Sequence, residues 1–349
     1  MSAFAPRAAT RDRLSPLEGV RDNPGNLRAL CYVPEGLEAP APLVVVLHGC
    51  TQDAAVYDHG SGWSTLADRH GFALLFPEQQ RANNAMLCFN WFSAGDTRRG
   101  GGEAESIRSM VEAMKEAHAI DPARIFVTGL SAGGAMASAM LAAYPEIFAA
   151  GAILAGVAYG CASDVAGAFE CMAGRAGGDS ETLARNVRRA SPHRGPWPRV
   201  QVWQGSADHT VVPSNAEAIV RQWTGVHGLD PKPDRTDTVG GYPRRIWLGA
   251  GGESAVEQYS ITGMAHGVPL GPLGGEDSLG EAGAHMLDVG LSSTARIADF
   301  FGIASSSGRA VHRPKALPDP RPAAEPRPQA AAGPQAVIEK ALRAAGLMR

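Results

Sequence analysis

Apolar and polar positions along this chain alternate between two patterns. Leu43 to Leu47 and Phe72 to Phe76 are unbroken apolar runs, as expected of strands covered on both faces. Between them, Ser64 to His70 reads as the end of a helix stopped by Gly71. Ala104 to Ala119 sets Ile107, Met110, Val111 and Met114 at helical spacing and leads into another apolar strand at Ile125 to Val127. Further on, 149–154, 200–204, 245–248 and 256–261 predict strands, and 291–301 predicts a last helix. This alternation predicts an α/β class with a mainly parallel central sheet flanked by helices.

Two stretches break the rhythm. Residues 159–198 are rich in Gly, Ala and Arg, hold Cys161 and Cys171, and carry a helical piece around Leu183 to Arg189. They read either as a small cap insertion over a site on the sheet or as a plain surface excursion. Ser305 to Pro334 is dominated by Ala, Pro and Arg with almost no large apolar residue, the composition of a linker. Beyond it Val337, Ile338, Ala341, Leu342 and Ala345 mark a short amphipathic helix. The expected division is one α/β domain over 1–303, a linker over 304–333 and a helix over 334–349.

Composition then narrows the function classes. With 349 residues, 44% of them hydrophobic, the chain has ample material for a core. A net charge of -3 argues against nucleic acid as a partner. No apolar run approaches the roughly 18 residues of a transmembrane helix. The first residues, Met1 to Arg7, lack the basic-then-apolar layout of a secretory signal, so the sequence alone reads as cytoplasmic. The five cysteines, Cys31, Cys50, Cys88, Cys161 and Cys171, form no Cys-x-x-Cys pair, and no His-Glu-x-x-His occurs. No metal and no cofactor are therefore expected, and the cysteines read as small buried hydrophobes.

The candidate chemistry centres on Gly129-Leu130-Ser131-Ala132-Gly133, set between the strand at Ile125 and an Ala-rich helical run. Gly-x-Ser-x-Gly in that context is a nucleophile elbow, a sharp turn that lifts a serine hydroxyl off the sheet edge. A phosphate-cradling loop would need a Lys after the glycines or Gly-x-Gly-x-x-Gly spacing, and neither is present. A serine nucleophile needs a base, an acid to orient it and donors for the oxyanion, in the chain order Ser, acid, His. The strand at 200–204 runs into Gly205-Ser206-Ala207-Asp208, and the strand at 256–261 runs into Gly263-Met264-Ala265-His266. Asp208 taken alone also suits the cap of a helix starting near Pro213, and His266 taken alone is one of ten histidines. His209 competes as base, but it is the sequence neighbour of Asp208 and precedes the last strand. After the strand at Leu43 to Leu47, His48-Gly49-Cys50-Thr51-Gln52 supplies one oxyanion amide at Cys50, with Ala132 supplying the other. The Cys50 side chain is then either buried or tied to a partner such as Cys88. His48 reads as a structural residue of the loop, Trp203 as core, and Trp91 as an apolar wall of the acyl pocket.

The His48–Gln52 loop, Cys88-Phe89-Asn90-Trp91-Phe92, the Gly129–Gly134 box, Gly205–Asp208 with Val212-Pro213, and Gly263–Gly267 together resemble the poly(3-hydroxybutyrate) depolymerase family of esterases. The resemblance spans roughly residues 20 to 303. It implies an α/β-hydrolase fold and a carboxylic-ester hydrolase with Ser131 as nucleophile, Asp208 as orienting acid and His266 as base. Feruloyl and acetylxylan esterases, related to that family, share this catalytic set and are the alternative activities. Many depolymerases of the family are secreted and carry a polymer-binding domain after a linker, which leaves an extracellular location open. Here the segment after the linker is about one short helix. The expected substrates are therefore short hydroxyacyl esters or amorphous polyester rather than crystalline polymer. A non-catalytic protein seated on granules or a partner is the contrasting reading, and the intact Ser–Asp–His order argues against it. Oligomeric state is left open.

Overall fold

The computed structural model describes residues 13–274 and 278–304, so the expected linker (except Ala304) and C-terminal helix lie outside the described residues. Ten strands form one sheet in the order β1-β2-β4-β3-β5-β6-β7-β10-β9-β8. They are β1 (Ser15–Pro16), β2 (Arg28–Tyr32), β3 (Ala41–Leu47), β4 (Ala73–Glu78), β5 (Ile120–Leu130), β6 (Ala150–Leu154), β7 (Arg199–Gly205), β8 (Arg235–Val239), β9 (Tyr242–Leu248) and β10 (Ser254–Ile261). The six neighbours from β4 to β10 run parallel, and antiparallel pairs finish both edges. A separate parallel pair joins β11 (Val268–Leu270) to β12 (Met286–Asp288).

The helices are α1 (Ala54–Ser61), α2 (Trp63–His70), α3 (Ala94–Thr97), α4 (Gly102–His118), α5 (Ala132–Ala143), α6 (Val165–Met172), α7 (Ser180–Ala190), α8 (Ser214–His227) and α9 (Ser293–Phe301). Strand β3 shows why its sequence is an apolar run. Leu43, Val45 and Leu47 enter the core layer shared with α4, α5, α7 and α8, while Val44 and Val46 enter the opposite layer with α1, α2 and α9. Covered on both faces, the strand has no position for a polar side chain. Helix α5 is buried all round, and its sequence has no polar face to match. Helix α2 stops at Gly71, whose φ of 70° is the left-handed C-terminal turn that glycine takes at no steric cost. The polar strand β8 closes one edge almost wholly exposed, so no apolar run marks it, and β2, next to the other edge, is a short and only partly buried strand.

Residues 159–198 divide between the two readings. Helix α7 packs on α8 and α5 as part of the main helical layer. Helix α6 instead delivers Met172 to the mouth of the sheet, where its carbonyl accepts from the Val212 N–H at 3.0 Å. The cysteines correct the sequence expectation of small buried hydrophobes. Cys50 bonds to Cys88 and Cys161 to Cys171, and Cys31 alone is free and buried among the described residues. Both pairs join loops or helix ends that the fold brings together across 38 and 10 residues, a proximity that no local motif announces.

Candidate active site

Strand β5 passes through Ser131 into α5 with φ 57° and ψ -116° at the serine, a conformation essentially confined to sharp functional turns. The glycines around it are obligatory for close packing. A Cβ on Gly133 would sit 2.2 Å from the Leu47 carbonyl oxygen, and one on Gly129 would sit 2.5 Å from the Gly133 carbonyl carbon. The Ser131 N–H donates to the Leu154 carbonyl at 2.9 Å, and the Ser131 carbonyl accepts from Ala135 at 2.8 Å. These contacts fix the backbone and leave the side chain facing a cavity of about 230 Å³ at the C-terminal edge of the sheet.

Asp208 follows β7 and is 1% exposed. Its Oδ1 accepts from the Thr210 and Val211 N–H groups at 2.8 and 2.9 Å, and its Oδ2 accepts from Gln204 Nε2 at 3.0 Å and His266 Nδ1 at 2.7 Å. It caps no helix, since the cap position of α8 is Pro213. Because a carboxylate accepts, His266 Nδ1 carries the proton and Nε2 is the ring's basic atom. The two loops are sewn together by Ala207 N–H to the Met264 carbonyl at 3.0 Å and by Gly263 N–H to Ser206 Oγ at 2.8 Å. His266 lines the cavity with Ser131, whereas His209 is exposed and outside it.

The third wall is the loop after β3. His48 is 1% exposed, donates from Nδ1 to the Gly49 carbonyl at 2.8 Å and accepts at Nε2 from the Gln79 N–H at 3.1 Å. Burial holds its pKa below the ordinary value, so it stays neutral and structural. Thr51, at φ 64°, donates to the Met86 carbonyl at 2.7 Å, and the Cys50–Cys88 bond ties the same two loops covalently. Cys50 and Ala132 both line the cavity, and neither amide is engaged by an acceptor among the described hydrogen bonds. Beneath the Cys88–Phe92 loop, buried Glu103 accepts from the Asn90 N–H at 2.8 Å, from Asn90 Nδ2 at 2.8 Å and from Gln79 Nε2 at 2.5 Å. Burial, partly offset by these donors, pushes its carboxyl up to about 8. Trp91 lines the cavity and, with Met172, packs against the apolar set of Ala135, Val157 and Val211. Trp63 and Trp203 are core, the latter stacked on Tyr259 with ring centroids 3.9 Å apart.

The model of the esterase PHB depolymerase family matches residues 27–236. A poly(3-hydroxyalkanoate) depolymerase C of Paucimonas lemoignei is 49% identical over 80% of this chain and 68% of its own length. The chain belongs to the PHB depolymerase family of esterases. It is thus a carboxylic-ester hydrolase. A probable acetylxylan esterase A of Aspergillus clavatus is 33% identical over 77% of this chain and 87% of its own length. The solved acetyl xylan esterase of Aspergillus awamori superposes with a TM-score of 0.71 at 27% identity, covering 83% of this chain and 99% of that one. The fold is that of the α/β-hydrolases. No helix among the described residues is long and apolar enough to cross a membrane.

For a PHB depolymerase-family esterase, the matched span encloses Cys50, Trp91, Ser131, Ala132 and Asp208, while His266 lies beyond it. Three cavity or supporting residues were not anticipated. Glu103 looks in the sequence like an ordinary first-turn acid of α4. Met172 sits in an Ala- and Gly-rich helix with no periodic signal. His285 lies in a Gly-rich loop far from any motif, yet its ring borders His266 with centroids 5.7 Å apart.

Proposed function

We propose that Ser131, Asp208 and His266 are the catalytic triad of this esterase, with the Cys50 and Ala132 amides as oxyanion donors and Trp91 as an acyl-pocket wall. What carries the reading is one cavity bordered by a strained Ser131, by a His266 whose Nδ1 is held by a buried carboxylate at 2.7 Å, and by two amides without an acceptor among the described residues. Ser131 Oγ attacks the ester carbonyl while His266 Nε2 takes its proton. Asp208 stabilises the imidazolium, and the oxyanion accepts from the two amides. His266 then returns the proton to the departing alkoxide, and water repeats the sequence on the acyl-enzyme.

The proposed substrates are esters of 3-hydroxyalkanoates, as short oligomers or accessible polyester. Identity of 49% to a depolymerase of these polymers, against 33% to an acetylxylan esterase, favours them. A panel of 3-hydroxybutyrate oligomers, acetylated xylo-oligosaccharides and methyl ferulate tests this. Higher kcat/KM on the hydroxybutyrate esters is expected, and preference for either of the others overturns the substrate reading while leaving the triad intact.

A further inference from the structure

His285 has a setting that core packing does not explain. Its φ is 61°, in the left-handed region that non-glycine residues rarely occupy. Seven described non-glycine residues have positive φ, and three of them, Thr51, Ser131 and His285, line the same cavity. Backbone strain persists only where the surroundings over-determine it, and it gathers at working sites. Here the surroundings do so. The Glu281 N–H donates to the Gly60 carbonyl at 3.1 Å, and the Glu281 carboxylate meets His59 Nε2 at 2.5 Å. Gly280 lies so close to α1 that a Cβ would come within 2.1 Å of the Gly60 oxygen. On the other side, the Val268 N–H donates to the His285 carbonyl at 2.8 Å, next to the β11–β12 pairing. The loop therefore cannot relax by withdrawing the imidazole.

The ring itself is oriented. His285 Nδ1 lies 3.1 Å from the His266 carbonyl oxygen, and a carbonyl only accepts, so Nδ1 carries a proton. Nε2 remains as the second hydrogen-bonding atom. Neutral, it accepts from a hydroxyl; protonated, it donates to a carboxylate. Gln52, another polar residue on the cavity, has its Oε1 held by the Gly49 N–H at 3.0 Å. In the mechanism above, His266 hands its proton to the departing alkoxide, so the alcohol half of the ester lies against His266 and within reach of its neighbour. We propose that His285 is a specificity-determining residue that hydrogen-bonds an oxygen substituent on the alcohol half of the ester. Esters whose alcohol is itself a hydroxyacid or a polyol are then favoured over esters of plain alcohols. This rests on the triad and substrate reading given above.

The test uses three 3-hydroxybutyrate esters of secondary alcohols with one carbon skeleton, ending in a carboxylate (the linear dimer), a hydroxyl or a methyl group. His285→Ala should lower kcat/KM for at least one polar-ended ester about tenfold or more relative to the methyl-ended one. A response of the carboxylate-ended ester identifies Nε2 as a donor, since a carboxylate only accepts. His285→Asn, which tolerates positive φ and keeps an amide donor, should recover part of the loss and serves if the alanine variant does not fold. Equal losses on all three esters would mean that His285 acts only through the architecture of His266. No loss on any would mean that it touches nothing. Either result overturns the proposal while the enzyme still cleaves the panel. Wild-type enzyme that cleaves none of the three, yet cleaves p-nitrophenyl acetate, defeats the substrate reading and takes this inference with it.

Discussion

Replacing Asp208 by Asn changes one oxygen into an amino group and tests the geometry more sharply than truncation does. Oδ1 accepts two backbone N–H groups at 2.8 and 2.9 Å, so the amide oxygen of Asn has to stay there. The new NH₂ then faces His266 Nδ1, 2.7 Å from the position of Oδ2, and Gln204 Nε2 at 3.0 Å. Two donors cannot share that contact, so the imidazole moves its proton to Nε2 and presents an N–H to Ser131 in place of a lone pair. Loss of the base by tautomer inversion costs on the order of 10⁴ in kcat, or roughly 5 kcal/mol of barrier. The fold should lose only about 1–2 kcal/mol, because Gln204 keeps its bond to the Val211 carbonyl at 3.0 Å. Steady-state kinetics on p-nitrophenyl butyrate, with urea melts alongside, separate the two effects: kcat should collapse while KM changes by less than about threefold. A loss in kcat below tenfold in a folded Asp208→Asn protein would refute the reasoning.

Three further outcomes are expected. His266→Ala should cost several orders of magnitude in kcat, whereas His209→Ala, exposed and off the cavity, should cost less than about threefold; the reverse ranking removes His266 as the base. Unreduced protein unfolded in guanidinium should titrate a single thiol, Cys31, and reduction should lower both melting temperature and activity, since the Cys50–Cys88 loop of 38 residues contributes about 4 kcal/mol. Five titratable thiols would contradict it. Glu103 carries a folded-state pKa of about 8, above its ordinary 4.5. Its neutral form therefore favours folding fully below about pH 4.5, and that contribution is lost as pH rises through 8, by roughly 5 kcal/mol over the window. Glu103→Gln should flatten this part of the pH–stability curve in urea melts, and an unchanged curve would show that the carboxyl titrates normally.

What was legible in the sequence follows from burial. The parallel strands are covered twice, so β3 and β4 announce themselves as apolar runs, and the turns after β5, β7 and β10 place Ser131, Asp208 and His266 at one sheet edge. Strand β8, Arg235-Thr236-Asp237-Thr238-Val239, is almost wholly exposed and carries no such signal. The Cys50–Cys88 bridge was left open and Cys161–Cys171 was missed because pairing depends on loops meeting in space, and Cys50 and Cys88 meet only where β3 and β4 lie side by side. Glu103 and His285 escaped for a related reason. Their significance lies in what surrounds them, the Asn90 amide groups in one case and the His266 carbonyl in the other, and neither neighbour is close in sequence. Asp208 taken alone was ambiguous between helix cap and triad acid; the chain order favoured the acid, and the structure gives its carboxylate four hydrogen bonds and no helix to cap.

The nucleophile itself is the central claim, and covalent trapping tests it most directly. Enzyme treated with a p-nitrophenyl phosphonate should release about one equivalent of nitrophenol and lose activity in step, and peptide mass spectrometry should find the adduct on the peptide carrying Ser131. Ser131→Ala should take up no label and hydrolyse no ester above background. An adduct on another residue, or ester hydrolysis retained by Ser131→Ala, would contradict the account.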